Sequence, residues 1–188
     1  MIFVVKAEDR YYLATNGYFA NPNRSLDFAD LLLEENLNML HTDNGNLIGL
    51  GWKDLHIDII KANKEIFDID VTPIKIKESL KKLCKVEEDY QLSYLKDDDA
   101  ADMIIAKGMT AYHITNNKIC FKINDVDIIS GDFNSCLELK VIYLSLDTLD
   151  VFERIKEAFV KYCSFRKIPP FPLVIYNSLD NDVIRIND

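Results

Sequence analysis

Met1-Ile-Phe-Val-Val-Lys6 and Arg10-Tyr-Tyr-Leu-Ala-Thr-Asn-Gly17 open the chain as two short runs of β-branched and aromatic residues. Ala7-Glu-Asp9 separates them and Asn16-Gly17 is a turn dipeptide, so the pattern predicts a hairpin that starts the protein without a leader. Two later stretches are written in the same style. Asn36-Leu-Asn-Met-Leu40 leads into Leu47-Ile-Gly-Leu-Gly51 across Thr42-Asp-Asn-Gly45, whose tip residues tolerate positive φ. Asp127-Ile-Ile-Ser-Gly131 runs into a helical pattern.

Between these anchors the period switches from two to 3.6. A short helix is predicted from Ser25 to about Glu35, and a longer one from Asp54 to Phe67. The longer one carries two apolar sets, Leu55, Ile59, Ala62 and Ile66 on one side and Ile57, Ile60 and Phe67 on another. Such a helix is expected to be covered twice, either between a sheet and a neighbouring helix or at a subunit contact. Thr72-Pro73 starts a third helix, with Ile76, Leu80 and Leu83 facing inward. Glu87 to Ala101 is polar and reads as a loop; its Asp97-Asp-Asp99 lacks the alternate spacing and glycine of a calcium loop and is expected to be solvated.

Strands follow at 103–106, 111–114, 119–123 and 126–129, with Asn116-Asn117 as a tight turn. Phe133, Cys136, Leu137, Val141 and Leu144 mark the buried face of the next helix. Leu149, Phe152, Ile155, Phe159, Tyr162 and Cys163 mark another, with Asp147 or Thr148 as its cap. Pro169-Pro-Phe-Pro172 ends the helical region, and 173–176 and 183–186 close as strands. Two strand-rich blocks, each followed by a helix pair, predict an α+β fold: a four-layer αββα sandwich of two antiparallel sheets flanked by helix pairs, in a single domain over 1–188. Inner positions such as Ile2/Val4 and Tyr11/Leu13 are expected to alternate with semi-exposed ones.

Composition narrows the function classes. The 22 Lys+Arg against 31 Asp+Glu give a formal net charge of -9, which disfavours phosphate backbones and anionic lipid as direct partners. The 48% hydrophobic content is ordinary for a folded chain of this length. Cys84, Cys120, Cys136 and Cys163 have apolar neighbours and no CxxC spacing, as expected of reduced thiols in the cytoplasm. No run approaches the roughly 18 apolar residues of a membrane span. His41, His56 and His113 show no metal-ligand spacing. Gly49-Leu-Gly51 is not a phosphate loop; its glycines are expected to admit close sheet-to-helix contact. Trp52 beside them reads as a core or subunit-contact residue, and Arg166 and Lys167 among aromatics are too little charge for a nucleic-acid surface. A Cys120–His113 nucleophile pair across adjacent strands is a weak alternative. No cofactor and no metal ion are expected.

In order and spacing, Ile2-Phe-Val-Val5 with Tyr12-Leu-Ala-Thr-Asn-Gly17, Asn36–Leu40 with Asn46–Gly51, and the Asp127–Asp132 strand-to-helix turn resemble the proteasome β-subunit superfamily of N-terminal nucleophile hydrolases. Within it the chain looks most like the peptidase subunit of the bacterial two-component ATP-dependent proteases, from Ile2 to about Tyr176. The resemblance implies a threonine at the first position whose own amine is the base, an aspartate in the first hairpin and a lysine on the third strand. Here those positions hold Met1, Asn16 and, within one residue, Asn36. Ser130-Gly131 only partly matches the family's Gly-Ser-Gly turn. A thioether cannot be deprotonated to attack a carbonyl, and bulky Ile2 both disfavours removal of Met1 and offers no nucleophile. Thr15 would serve only after cleavage behind Ala14, which would delete the opening strand.

Three functions remain open at this point. One is a proteasome-subunit-like protein without catalytic competence, acting as a structural or interaction subunit of a homo-oligomer. Another is an acidic binding or inhibitor module for a basic protein partner. The last is an active threonine-type peptidase or amidohydrolase released by processing. The residues favour the first, with no enzyme activity and with neither nucleic acid nor membrane as partner.

Overall fold

The opening hairpin forms as its alternation requires. In the computed structural model, β1 (Ile2–Lys6) pairs antiparallel with β2 (Tyr11–Thr15), Phe3 opposite Ala14 and Val5 opposite Tyr12. The structure describes residues 2–16, 39–50, 59–89, 103–115, 119–129, 133–147, 149–167, 169–170, 172–180 and 182–187. The predicted helix 25–35, Trp52, Asp97–Asp99 and Asn116-Asn117 lie outside them.

β1 and β2 are central in a five-stranded antiparallel sheet ordered β10-β9-β2-β1-β8, completed by β8 (Val126–Ile129), β9 (Leu173–Asn177) and β10 (Val183–Ile186). The second sheet runs β3-β4-β5-β6-β7: Met39–His41, Leu47–Leu50, Met103–Lys107, Thr110–Ile114 and Cys120–Lys122. The β3–β4 turn uses the predicted glycine, with Gly45 at φ 77° and its N–H donating to Thr42 O at 3.0 Å.

Side-chain alternation assigns the layers. Ile2, Val4, Tyr11, Leu13, Val174 and Tyr176 of the first sheet meet Met39, Leu47, Ile104, Ala106 and Ala111 of the second. Phe3, Val5, Ala14, Leu173 and Ile175 point the other way, onto helices α3 (Phe133–Leu144) and α4 (Val151–Arg166). Ile48, Leu50, Met103 and Ile105 pack on Ile76, Leu80 and Leu83 of α2 (Pro73–Asp89) and on Ile59, Ile60 and Phe67. The result is the four-layer αββα arrangement. The expectation of semi-exposed alternate positions fails for β1: Phe3 and Val5 are as buried as Ile2 and Val4, because both faces of a central strand are covered.

Four other expectations change. The Asp54–Phe67 helix does not run through. Residues 59–62 are helical (α1), and Lys64–Phe67 is a separate 3-10 turn. Asn63 causes the break: its Nδ2 donates to Ile59 O at 2.9 Å, the acceptor its own backbone N–H would use in a continuing helix, and that N–H bonds Ile60 O instead. The break lets Ile59, Ile60, Phe67 and, part-buried, Ile66 share one core between the second sheet and α2, while Leu55 and Ile57 of the two apolar sets lie outside the described residues. α2 carries on through Glu87–Asp89, where a loop was expected, since extending a formed helix adds one bond per residue. Of the face expected on α3, Leu137, Val141 and Leu144 face solvent and the side chains of Phe133 and Cys136 lie outside the described residues; Leu139 and Tyr143 are buried instead. The α4 cap is Asp150, rather than Asp147 or Thr148; its carboxylate accepts from the N–H groups of Phe152 and Glu153 at 3.0 and 3.1 Å.

Polar links fix the sheets to each other. The Tyr11 hydroxyl donates to Ile123 O at 2.5 Å. Ser178 Oγ accepts from Tyr11 N at 2.9 Å and donates to Gly108 O at 2.6 Å, joining β2 to the β5–β6 turn.

At Gly49 the expected sheet-to-helix contact is instead sheet-to-sheet. A Cβ there would lie 2.8 Å from Ile2 Cδ1 and 3.2 Å from Met39 Sδ. Gly49→Ala is expected to destabilise the fold by about 1–3 kcal/mol, and Ile2→Val in the same chain, which removes that Cδ1, to recover part of the loss; urea unfolding of the three variants checks this. Ser178→Ala, which strands a buried donor and acceptor, is expected to cost about 1–3 kcal/mol in the same assay.

Candidate functional site

The described strand ends Ile2, Thr15 and Ile129 converge at one edge of the sandwich. Ile2 begins β1 and faces Ile129, the last residue of β8, in register. Thr15 ends β2, and Asn16 follows it. Across the inner layer, Ile2 packs on Gly49, which is paired with Met39 at the start of β3. Of the four singled-out positions, Asn16 is described; Met1, Asn36 and Ser130 lie outside the described residues.

Asn16 is buried, 3% exposed. Its Nδ2 lies 3.4 Å from Cys163 Sγ on α4 and 3.4 Å from Pro169 O, donating to both. The sequence predicted Cys163 as helix core and missed this pairing, because 147 residues separate the partners and no local pattern links them. The environment is desolvated. Burial pushes the Cys163 thiol up to about 12, and the Asn16 hydrogen bond offsets this only in part. A thiol titrating there is protonated at neutral pH and is not a nucleophile. An amide at Asn16 carries no charge with which to hold an ammonium group. The charge of the N-terminal ammonium also reaches the Cys163 thiol and lowers it slightly against the effect of burial.

The remaining candidates separate. Thr15 is fully buried and pairs with Val174, so freeing it as an N-terminus would remove β1 and with it part of both cores. The Cys120–His113 pair does not form: across β6–β7, His113 faces Phe121 and Ile114 faces Cys120, which places Cys120 and His113 on opposite faces of the sheet. Burial raises the Cys120 thiol, and Cys120 packs against the α2 side. His41 stacks edge-on against Tyr176 at 5.7 Å, and burial lowers its pKa, so its imidazole is neutral near pH 7. Arg166 is bound to Glu138 at 2.8 Å, and Lys167 closes α4 in a left-handed conformation at φ 57°. Among the described residues no three His, Cys, Asp or Glu side chains gather as a metal site, no disulfide joins Cys84, Cys120 and Cys163, and no helix is long and apolar enough to cross a membrane.

Solved structures share this architecture. The chain matches BPH, a bacterial proteasome homologue from Thiobacillus denitrificans, with TM-score 0.67 at 12% identity over 96% of this chain and 99% of that one. A second BPH structure, in complex with epoxomicin, matches with TM-score 0.66 at 9% identity, covering 100% and 99%. Eukaryotic HslV from Trypanosoma brucei matches with TM-score 0.58 at 10% identity, covering 95% and 98%. Anbu, an ancestral β-subunit from Yersinia bercovieri, matches with TM-score 0.59 at 10% identity, covering 100% and 87%. No family model matches the chain, and no curated protein matches it. The fold is that of the proteasome-like subunits.

The Cys163 environment has a pH signature. The folded-state thiol titrates above the unfolded one, so as pH rises the unfolded chain loses its proton first. This contribution to stability is complete below about pH 8.5 and is lost between there and about 12. Wild-type stability is expected to fall more steeply than that of Cys163→Ala between about pH 9 and 11, in paired urea titrations. Equal slopes would mean that the thiol is not held in its protonated form.

Proposed function

We propose that this proteasome-subunit-like protein does not cleave peptides and acts as a structural or interaction subunit in an assembly of its own copies. The observation that carries the reading is Asn16: a buried neutral amide, bonded to a protonated thiol and a carbonyl, where the resemblance puts a carboxylate. Self-activated amide hydrolysis needs a nucleophile whose own amine takes up its proton, and charged neighbours that set the amine's affinity. Met1, Asn16 and Asn36 remove the nucleophile, the carboxylate and the ammonium in turn. Each replacing side chain is neutral, so these three positions supply neither a carboxylate nor a side-chain ammonium. A single domain over 1–188, a cytoplasmic location and the absence of cofactor, nucleic acid and membrane complete the proposal.

A second reading is favoured by the formal net charge of -9: an acidic module that binds a basic protein as a monomer. Light scattering separates the two, since only the first requires an oligomer.

The chemistry is tested with fluorogenic peptides and with epoxomicin, using Thiobacillus denitrificans BPH as the positive control for epoxomicin binding. No turnover above the buffer rate and no covalent mass increase are expected. Turnover that disappears on one defined point substitution, or a stoichiometric epoxomicin adduct, would refute the loss of catalysis.

A further inference from the structure

Helix α2 concentrates positive charge in an acidic chain. Residues 73–86 hold five lysines and one carboxylate, while the whole chain has a formal net charge of -9. Lys75, Lys77, Lys81, Lys82 and Lys85 are all exposed, on the side of α2 away from buried Ile76, Leu80 and Leu83. The carboxylate, Glu78, is bound to Lys75 at 3.0 Å. Among the described residues no carboxylate forms an ion pair with the other four lysines. Exposed Glu65 and Asp70 precede the helix, and Glu87, Glu88 and Asp89 end it, with their side chains outside the described residues. Lys122 of β7 extends the patch. It is exposed on the same face of the strand as Cys120, which packs on the α2 side and feels the Lys77 ammonium.

A lysine face often serves only to keep a helix in water, but this one has an order suited to a ligand. Lys77, Lys81 and Lys85 follow one another at four residues, about 6 Å apart along the axis. Carboxylates on one side of an extended chain recur at every second residue, about 6.5 Å apart. The flexible lysine stems absorb the difference. One turn before Lys77 stands Ile74, 71% exposed, an apolar contact at the end of the row. Residues 73–86 contain no arginine and no aromatic ring of the kind on which a single-stranded nucleic acid stacks. A nucleic acid or a membrane surface would also extend past α2 and meet the acidic remainder of the chain. A short acidic segment touches the lysines alone.

We propose that the exposed face of α2 docks an extended acidic segment of a partner protein, with carboxylates at alternate positions on Lys77, Lys81 and Lys85 and an apolar residue on Ile74. The proposal goes beyond the loss of catalysis and the assembly of copies. Peptide binding at α2 can fail while both of those stand, and the reverse holds as well.

The test is fluorescence anisotropy on the full chain with a labelled peptide of alternating Glu and Ser that ends in Leu. Added salt should weaken its binding. Lys81→Glu should weaken it about tenfold, whereas Lys161→Glu, exposed on α4, should leave it within about twofold of the wild type. Ile74→Ser should weaken it about threefold. A peptide of the same composition with its glutamates grouped should bind about threefold more weakly, because the spacing no longer matches. All three substitutions fall on exposed side chains, and circular dichroism confirms that each variant folds. No binding at about 1 mM peptide, or equal binding by Lys81→Glu and the wild type, would overturn the proposal. Tighter binding of an oligothymidylate of equal charge, or of phosphatidylserine vesicles, would overturn the assignment of a protein partner. Equal binding of the grouped peptide would overturn the extended register.

Discussion

The closeness of the two sheets at Ile2 and Gly49 constrains the rest of the molecule. Facing sheets stand about 10 Å apart, and here a glycine without a side chain receives the tip of an isoleucine. The layer between them holds Val4, Tyr11 and Leu13 against Leu47, Ile104 and Ala111. Tyr11 extends that layer by reaching Ile123 O with its hydroxyl, and Ser178 ties the same strand to the turn at Gly108. Apolar filling gives the spacing, and these directional bonds set the register. With both faces of β1 covered, the start of that strand is held where the two sheets meet.

A strand start held this way is what an N-terminal nucleophile needs. Positioning one residue against the ends of β2, β3 and β8 gives an amine and a hydroxyl a defined place to act. The fold is shared, and the described residues at this corner of it include Asn16 and Cys163. Asn16 hydrogen-bonds a thiol and a carbonyl in a desolvated corner, and Cys163 is held protonated there. Burying a lone carboxylate at such a place would be costly, whereas a bonded amide is tolerated. The Asn16 amide, hydrogen-bonded to both Cys163 and Pro169, fits a corner that serves packing.

What could be read from the residues follows from how local each signal is. The hairpins were legible because alternation and Asn- and Gly-bearing turns lie within a few residues, and α4 was legible because one apolar set dominates it. The helix ending at residue 62 was misread because Asn63 takes over a backbone acceptor, a competition that helical periodicity does not register. The α3 face was misread because the helix carries two apolar sets, Leu137, Val141 and Leu144 against Leu139 and Tyr143, and packing across the layer, including Phe3 against Tyr143, selects between them. At the candidate site, the place of Asn16 behind β2 was legible from the opening hairpin. Its partner Cys163 was not, since a contact across the fold leaves no trace in spacing. The Cys120–His113 suggestion failed on register, which reverses the face of a side chain at every residue.

The proposed loss of catalysis turns on the first residue of the chain, which the proposal takes to carry no nucleophile. The most direct measurement is the N-terminal sequence and intact mass of the mature protein purified from its native source. The account requires a mature chain whose first residue bears no hydroxyl or thiol. A mature form beginning with a free threonine, serine or cysteine would contradict it.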